Sequence, residues 1–293
     1  MKAFSKFHPV VLIIYFVSVI GTAMFLAHPV FEAIALTGAI LFCFVITKKQ
    51  DKLSDLKFYI PLFLLIAITN PLFSHNGVTP LFFMNGNAVT LEAILYGIDI
   101  AVMLVSVMLW CKAYSIIMTS DKFVYLFGRI IPKLSLVLSM ALRYVPMLKR
   151  QAKKVSCAQK AMGLYSSKSI ADRVKFAVRV FSALVGWSLE NAVETGRAMK
   201  ARGYGLRGRT NYSNYYFLKT DALLLAVCIS AFAAVVIGRI CGCGNFSFYP
   251  RITEIGLSGI DICMYSAFAV MAFLPFIIEI EEVIRWKYYR SKI

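Results

Sequence analysis

The sequence has 293 residues, of which 59% are hydrophobic and only 16% are charged, and its mean hydropathy is +0.71. Soluble domains carry about 25% charged residues, so this composition excludes a soluble domain, a disordered chain and a disulfide-stabilised secreted scaffold. The net charge of +17 is typical of nucleic-acid binding only in a soluble chain, so we predict a membrane protein that contacts anionic lipid and binds no nucleic acid.

Six apolar stretches are long enough, and sufficiently free of charge, to cross a bilayer as helices. In chain order they are Val10–Ala27, Pro29–Thr47, Phe58–Ser74, Leu91–Trp110, Ala222–Gly238 and Ile262–Ile278. This pattern predicts an all-α, polytopic membrane helix bundle of about six transmembrane helices. We expect three regions: N-terminal transmembrane helices at residues 1–110, a cytoplasmic helical region at 111–221 and C-terminal transmembrane helices at 222–293.

Lys and Arg residues are distributed unevenly among the segments that connect these stretches. Residues 111–221 contain 20 of the 32 Lys and Arg residues, whereas the connection at 75–90 contains none. Connections rich in Lys and Arg tend to remain in the cytoplasm. With six spans the basic segments all fall on one side, so we predict a multi-pass plasma-membrane protein with both termini and residues 111–221 in the cytoplasm.

The cytoplasmic helical region contains two long predicted helices. The first covers residues 134–161, carries Pro146 inside it and a strongly basic face beyond that proline, and ends before Gly163. The second covers residues 169–201 and is followed by Gly203, a typical residue at a helix C-terminus. Its first half is almost entirely apolar, so we expect that half to press against membrane or protein.

Sequence motifs that carry enzymatic chemistry are missing. No Gly-Lys-Ser/Thr phosphate-binding loop occurs, the three histidines are far apart, and the seven cysteines show no paired metal-ligand spacing. We therefore predict that the chain is not an enzyme and holds neither a metal nor a cofactor of its own.

Two parts of the cytoplasmic helical region are recognisable. Residues 189–192 and 198–205 read Leu-Glu-Asn-Ala and Ala-Met-Lys-Ala-Arg-Gly-Tyr-Gly, while 142–146 and 158–163 read Leu-Arg-Tyr-Val-Pro and Ala-Gln-Lys-Ala-Met-Gly. The sequence resembles the transmembrane T component of energy-coupling factor (ECF) transporters, a family that includes the membrane subunit of cobalt and nickel uptake systems. The order of apolar spans, cytoplasmic helices and further spans matches over nearly the whole chain.

The resemblance implies the coupling subunit of a prokaryotic ABC importer. In that family two long cytoplasmic helices, the coupling helices, bind a pair of ABC-type ATPases, and these ATPases bind the ATP. A separate substrate-capturing membrane subunit, the S component, packs against the coupling helices and is tipped in the bilayer as ATP is turned over. The substrate, a vitamin or a transition-metal ion, stays open, as do the identity of the two ATPases and the sharing of the S component.

The resemblance also implies that each coupling helix ends in an Ala-Arg-Gly-like triplet that docks on one ATPase. The second triplet matches fully and consists of Ala201, Arg202 and Gly203. The first has Met where the family commonly has Arg and consists of Ala161, Met162 and Gly163. Met does not replace a planar charged guanidinium, so we expect two unequal docking sites. A supporting basic face would consist of Lys160, Arg197 and Lys200.

A different class of function remains open at Asp99, which lies near the middle of the fourth predicted span. An acidic residue inside a membrane is a functional candidate by default. Asp99 either makes a structural hydrogen bond or takes part in a proton or sodium relay, as in a secondary ion-coupled transporter. Glu32 and Glu92 lie near the predicted outer face, where we expect them to be interfacial.

Overall fold

The computed structural model describes residues 3–47, 49–74, 77–84, 87–163, 169–206, 215–256 and 258–291, and these are almost entirely helical. In chain order the helices are α1 (Pro9–Phe25), α2 (Pro29–Ile46), α3 (Lys49–Phe73), α4 (Leu91–Ile117), α5 (Ser120–Ile130), α6 (Pro132–Ala161), α7 (Ile170–Ala201), α8 (Lys219–Ile240) and α9 (Gly259–Arg290). A short antiparallel hairpin of β1 (Pro80–Met84) and β2 (Asn87–Thr90) precedes α4. The predicted all-α class is confirmed, with this hairpin as a small addition.

Among the residues that the structure describes, five helices are long and apolar enough to cross a bilayer, namely α2, α3, α4, α8 and α9. The first predicted span corresponds to α1, whose 17 residues lie at the short end of what crosses a bilayer. The chain is therefore a multi-pass membrane protein. Several helices extend past their apolar runs, because a run of apolar residues predicts only the part of a helix that lies in lipid. The third predicted span is an example, since it starts at Phe58 whereas α3 begins at Lys49.

The chain forms two compact units. Unit 1 consists of Met1–Thr119 together with Tyr215–Ile293, and it contains α1 to α4, the hairpin, α8 and α9. Unit 2 consists of Ser120–Asn214 and contains α5, α6 and α7. The membrane side on which residues 111–221 lie stays a prediction.

Aromatic side chains form the centre of unit 1. The rings of Tyr15, Phe16 and Phe42 lie within 5.9–6.2 Å of the Trp110 ring, and all four residues are essentially inaccessible to solvent. The polar atoms of this core are satisfied, since Tyr15 Oη donates to the carbonyl of Met271 at 3.0 Å. Such bonds matter because an unpaired polar group in an apolar core is costly. The core therefore holds α1, α2, α4 and α9 together.

Small residues allow α3 and α4 to approach closely. A Cβ atom on Gly97 of α4 would lie 2.9 Å from the carbonyl oxygen of Ala67 and 3.1 Å from Cβ of Asn70, both in α3. The Asn70 side chain donates from Nδ2 to the carbonyl of Ala93 at 3.0 Å. In membranes, where lipid is as apolar as the protein, such close packing and interhelical hydrogen bonds replace the hydrophobic driving force.

We expect Gly97→Ala to lower the free energy of unfolding by about 1–3 kcal/mol, because the added methyl group would overpack against backbone that cannot move aside easily. The thermal unfolding midpoint of the purified protein in detergent measures this change. Gly21→Ala in α1 is the matched control, since a Cβ there meets no atom within 4 Å. Equal midpoints for the two variants would contradict the close α3–α4 contact.

Candidate functional site

Unit 2 contains the predicted pair of long helices, α6 and α7. Their predicted ends at Ala161 and Ala201 are confirmed, and α6 continues through Pro146. One tyrosine of α6 joins the helices: the hydroxyl of Tyr144 lies 3.1 Å from Oγ1 of Thr195 and 3.4 Å from the carbonyl oxygen of Asn191. Both helices continue past this contact toward their C-terminal ends. At a rise of 1.5 Å per residue, α6 continues for about 26 Å and α7 for about 12 Å.

The two helix tips fold in the same way. The middle residues of the triplets, Met162 and Arg202, have φ and ψ of −78° and 6°, and of −83° and 11°. The glycines that follow, Gly163 and Gly203, have φ of +75° and +79°, a left-handed conformation that glycine adopts without steric cost. Each glycine N–H donates at 3.0 Å to the carbonyl three residues earlier. The Ala-x-Gly pattern thus holds its middle residue in an equivalent position at both tips.

The tip of α7 is closed by a further backbone bond. The N–H of Tyr204 donates to the carbonyl of Met199 at 3.0 Å, which together with the Gly203 bond completes a Schellman motif. The residue equivalent to Tyr204 at the tip of α6 is number 164, which lies outside the described residues. The turn that carries Arg202 is therefore specified by two backbone hydrogen bonds and one left-handed glycine.

The triplet residues lie at the protein surface. Met162 is 67% exposed and the Arg202 side chain is exposed. The supporting residues are exposed as well, namely Lys160, Arg197 and Lys200. Within the described parts of the chain Arg202 forms no ion pair. Its guanidinium can therefore bind a carboxylate of another protein without first giving up an internal one.

Gly203→Ala is expected to open the turn at the tip of α7. An alanine in the left-handed conformation costs about 1–2 kcal/mol, and its Cβ would lie 3.1 Å from Cδ1 of Leu206. Hydrogen exchange should show faster exchange of the Tyr204 amide than in the unsubstituted protein. Gly196→Ala is the control: it lies inside the same helix with no atom within 4 Å of the added Cβ, and should not speed exchange. Equal protection in the two variants would contradict the role of Gly203.

An apolar stripe on α7 is exposed. None of the residues of α7 is buried in the structure described, and its three most exposed large apolar side chains, Ile170, Phe181 and Leu189, are 79%, 68% and 63% exposed. The exposed stripe repeats at helical spacing and consists of Ile170, Val174, Val178, Phe181, Val185, Leu189 and Val193. A contiguous exposed apolar surface of this kind marks contact with a membrane or a protein partner.

Asp99 lies in unit 1, apart from these tips along the chain. It is 8% exposed, and its carboxyl lies within hydrogen-bonding reach of the Glu32 carboxyl of α2. Glu32 is 1% exposed, and among described residues its Oε2 atom has no hydrogen-bond partner. Glu92 is also buried, and it accepts from Oγ1 of Thr79 at 2.7 Å. Both glutamates are thus buried against other parts of the protein, and their position near the outer face of the membrane stays a prediction.

Comparison with known proteins identifies the family of this chain. A family model described as cobalt transport protein, CbiQ, matches residues 5–212, which include both triplets. The chain belongs to the CbiQ family. The family predicted from the helix tips is thereby confirmed, and the CbiQ match covers the whole of unit 2 except its last residues.

Relatives of this CbiQ-family chain are named energy-coupling factor transporter transmembrane protein EcfT. The protein of Bacillus selenitireducens is 36% identical over 112 residues, which are 38% of this chain and 42% of the relative. That of Lactobacillus helveticus is 33% identical over 111 residues, 37% of this chain and 40% of the relative. That of Listeria innocua is 29% identical over 215 residues, 65% of this chain and 78% of the relative. The first two matches thus span about two fifths of the relatives, which are named as transporter components and not as enzymes.

Proposed function

We propose that this chain is the transmembrane energy-coupling subunit of an ECF-type importer in the plasma membrane of a prokaryote, with both termini in the cytoplasm. Two ABC-type ATPases bind the tips of α6 and α7, and an S component captures a vitamin or a transition-metal ion. ATP is bound by the ATPases, and this chain holds no cofactor. The observation that carries the proposal is the pair of exposed, equivalent turns that end α6 and α7.

The chemistry of the α7 tip suits an ATPase surface that presents a carboxylate. Arg202 stands at a helix C-terminus, where the backbone dipole favours a cation, and its planar guanidinium binds a carboxylate through two parallel hydrogen bonds. At the α6 tip Met162 occupies the equivalent position without a charge. The two sites are therefore unequal, with an apolar contact and the nearby Lys160 at one ATPase and a charged anchor at the other.

The exposed stripe on α7 supports a second contact, with the S component. Burying one of its Val, Ile, Leu or Phe side chains contributes about 1.5–3 kcal/mol when the surface would otherwise face water. A membrane-embedded partner presents apolar surface of the kind that covers such a stripe. We propose that the S component binds along α7 while the ATPases hold the helix tips.

Reconstitution in proteoliposomes tests this function directly. The chain is combined with its ATPases and S component, and uptake of labelled vitamins, Co²⁺ and Ni²⁺ is measured with and without internal or external ATP. We expect uptake only with ATP on the side of the ATPases, and no effect of proton or sodium ionophores. An ATPase variant that binds but does not hydrolyse ATP should abolish uptake.

A secondary ion-coupled transporter is the second candidate, and the buried Glu32 and Asp99 carboxyls favour it. The same vesicles separate the two functions. Uptake that persists without ATP, collapses with ionophores and is lost in Asp99→Asn would overturn the coupling function and support ion coupling. Under the coupling function Asp99→Asn retains ATP-driven uptake.

A further inference from the structure

The N-terminal segment, defined as residues 3–8, is packed inside unit 1. Phe4 is fully buried, and the centroid of its ring lies 5.2 Å from that of Tyr15 and 5.7 Å from that of Phe42. The hydrogen bonds of this segment identify the residues that hold it in place.

Two carboxylates of α9 bind the segment. The backbone N–H of Phe4 donates to Oε1 of Glu279 at 3.1 Å, and Glu279 is only 2% exposed. Lys6 Nζ lies 2.6 Å from Oε1 of Glu282 in a more exposed ion pair. The Phe4–Glu279 bond is the buried one of the two, and a buried acceptor that loses its donor is costly.

The segment also contacts both places where the chain passes between the two units. Ser5 Oγ donates at 3.5 Å to the carbonyl of Ile117, the last residue of α4, just before unit 1 ends. The N–H of His8 donates to Oδ1 of Asp221 at 3.0 Å, and the His8 ring lies 5.5 Å from that of Phe217. Phe217 and Asp221 lie where the chain returns to unit 1 and starts α8.

Asp221 serves two purposes with one buried carboxylate. It is 2% exposed, and its Oδ2 atom accepts the N–H of Leu218 at 2.9 Å, which caps the start of α8. Its Oδ1 atom accepts from His8. The start of α8 and the N-terminal segment are thereby fixed to each other through a single side chain.

We propose that Asp221 and Glu279 are positioning residues for energy coupling, which act through the N-terminal segment to fix both chain connections between the units. This inference rests on the proposed function, in which movement of the α6 and α7 tips must reach the membrane helices. If the chain connections between the units were loosely held, they would open locally, and movement of the tips would not reach the membrane helices. A segment bonded at both connections keeps them rigid, so that the movement is transmitted.

A proline at position 8 tests the His8–Asp221 bond and fits the backbone conformation at that position. His8 has φ of −59° and ψ of 134°, which proline adopts, and Phe7 before it is extended, as the residue before a proline must be. His8→Pro removes the N–H that Asp221 accepts and leaves the Leu218 bond in place. His8→Ala is the matched control, because it removes the same imidazole and keeps the N–H.

The ratio of substrate taken up to ATP hydrolysed is the decisive measurement. In proteoliposomes with ATPases and S component, His8→Pro should lower this ratio about threefold or more relative to His8→Ala, a usual size for variants that alter coupling, while the complex with the ATPases assembles in full. Hydrogen exchange at 116–118 and 217–221 should rise in His8→Pro alone. Equal ratios and equal exchange in the two variants would overturn the proposal, as would a parallel loss of hydrolysis and uptake.

A second pair of variants, at Glu279, tests the bond between Glu279 and the Phe4 N–H at the start of the segment. Glu279→Gln keeps an oxygen that accepts the Phe4 N–H, whereas Glu279→Ala removes it, so only Glu279→Ala should lower the ratio. Failure of the proposed function has a different signature, since the unsubstituted chain would then show no ATP-driven uptake. ATP-driven uptake with unchanged ratios in all four variants would overturn only the positioning role.

Discussion

Arg202→Ala is expected to weaken the complex of this chain with its ATPases by about 2–5 kcal/mol, which corresponds to roughly 30-fold to 5,000-fold in the dissociation constant. The guanidinium is exposed, has no ion-pair partner among the described residues, and sits on a turn held by Gly203 and by the Tyr204 N–H. A partner carboxylate that becomes buried on docking would be left unpaired in the variant, and that penalty dominates the loss. Co-purification and binding to the chain in nanodiscs measure it.

Two controls show whether this effect belongs to the triplet. Arg173→Ala removes an exposed arginine near the other end of α7 and should cost less than about 1 kcal/mol, as exposed charges usually do. Met162→Arg places a guanidinium in the equivalent turn of α6 and should strengthen binding or leave it unchanged. Undiminished complex formation together with undiminished uptake in Arg202→Ala would contradict docking. Weaker binding to anionic vesicles alone would assign the arginine to lipid contact.

Phe4→Ala is expected to lower the free energy of unfolding by about 3–5 kcal/mol, the usual cost of removing a fully buried aromatic side chain. The ring has centroid distances of 5.2–6.3 Å to four neighbours, which are Phe7, Tyr15, Phe16 and Phe42. The thermal midpoint in detergent and the midpoint of denaturant unfolding both measure this loss of stability.

Matched variants separate this packing effect from a general loss of aromatic surface. Phe25→Ala removes the same ring at a position that is 82% exposed and should change the midpoint little. Phe4→Leu keeps most of the volume and should cost less than half as much as Phe4→Ala. A shift for Phe4→Ala no larger than that for Phe25→Ala would show that the N-terminal segment does not contribute to the core.

The ends of α6 and α7 were predictable because the chemistry there is local. A left-handed glycine after an amphipathic run ends a helix wherever the chain lies, and the conformations of Met162 and Arg202 follow from that rule. The apolar runs likewise predict membrane helices, since about 20 apolar residues cross a bilayer in any fold. The continuation of α3 back to Lys49 was missed, because helix-forming residues outside lipid need no apolar pattern.

The class of the protein, the two helix tips and the family they indicate could all be predicted from the residues alone, because these features depend on composition and on neighbours a few residues apart. Three other features became visible in the folded chain alone: Glu32 lies next to Asp99, the apolar stripe of α7 is exposed, and Phe4 is bonded to Glu279, 275 residues away. Contacts between distant residues depend on which helix faces pack together. That choice is made by the whole set of packed side chains, and no local pattern encodes it.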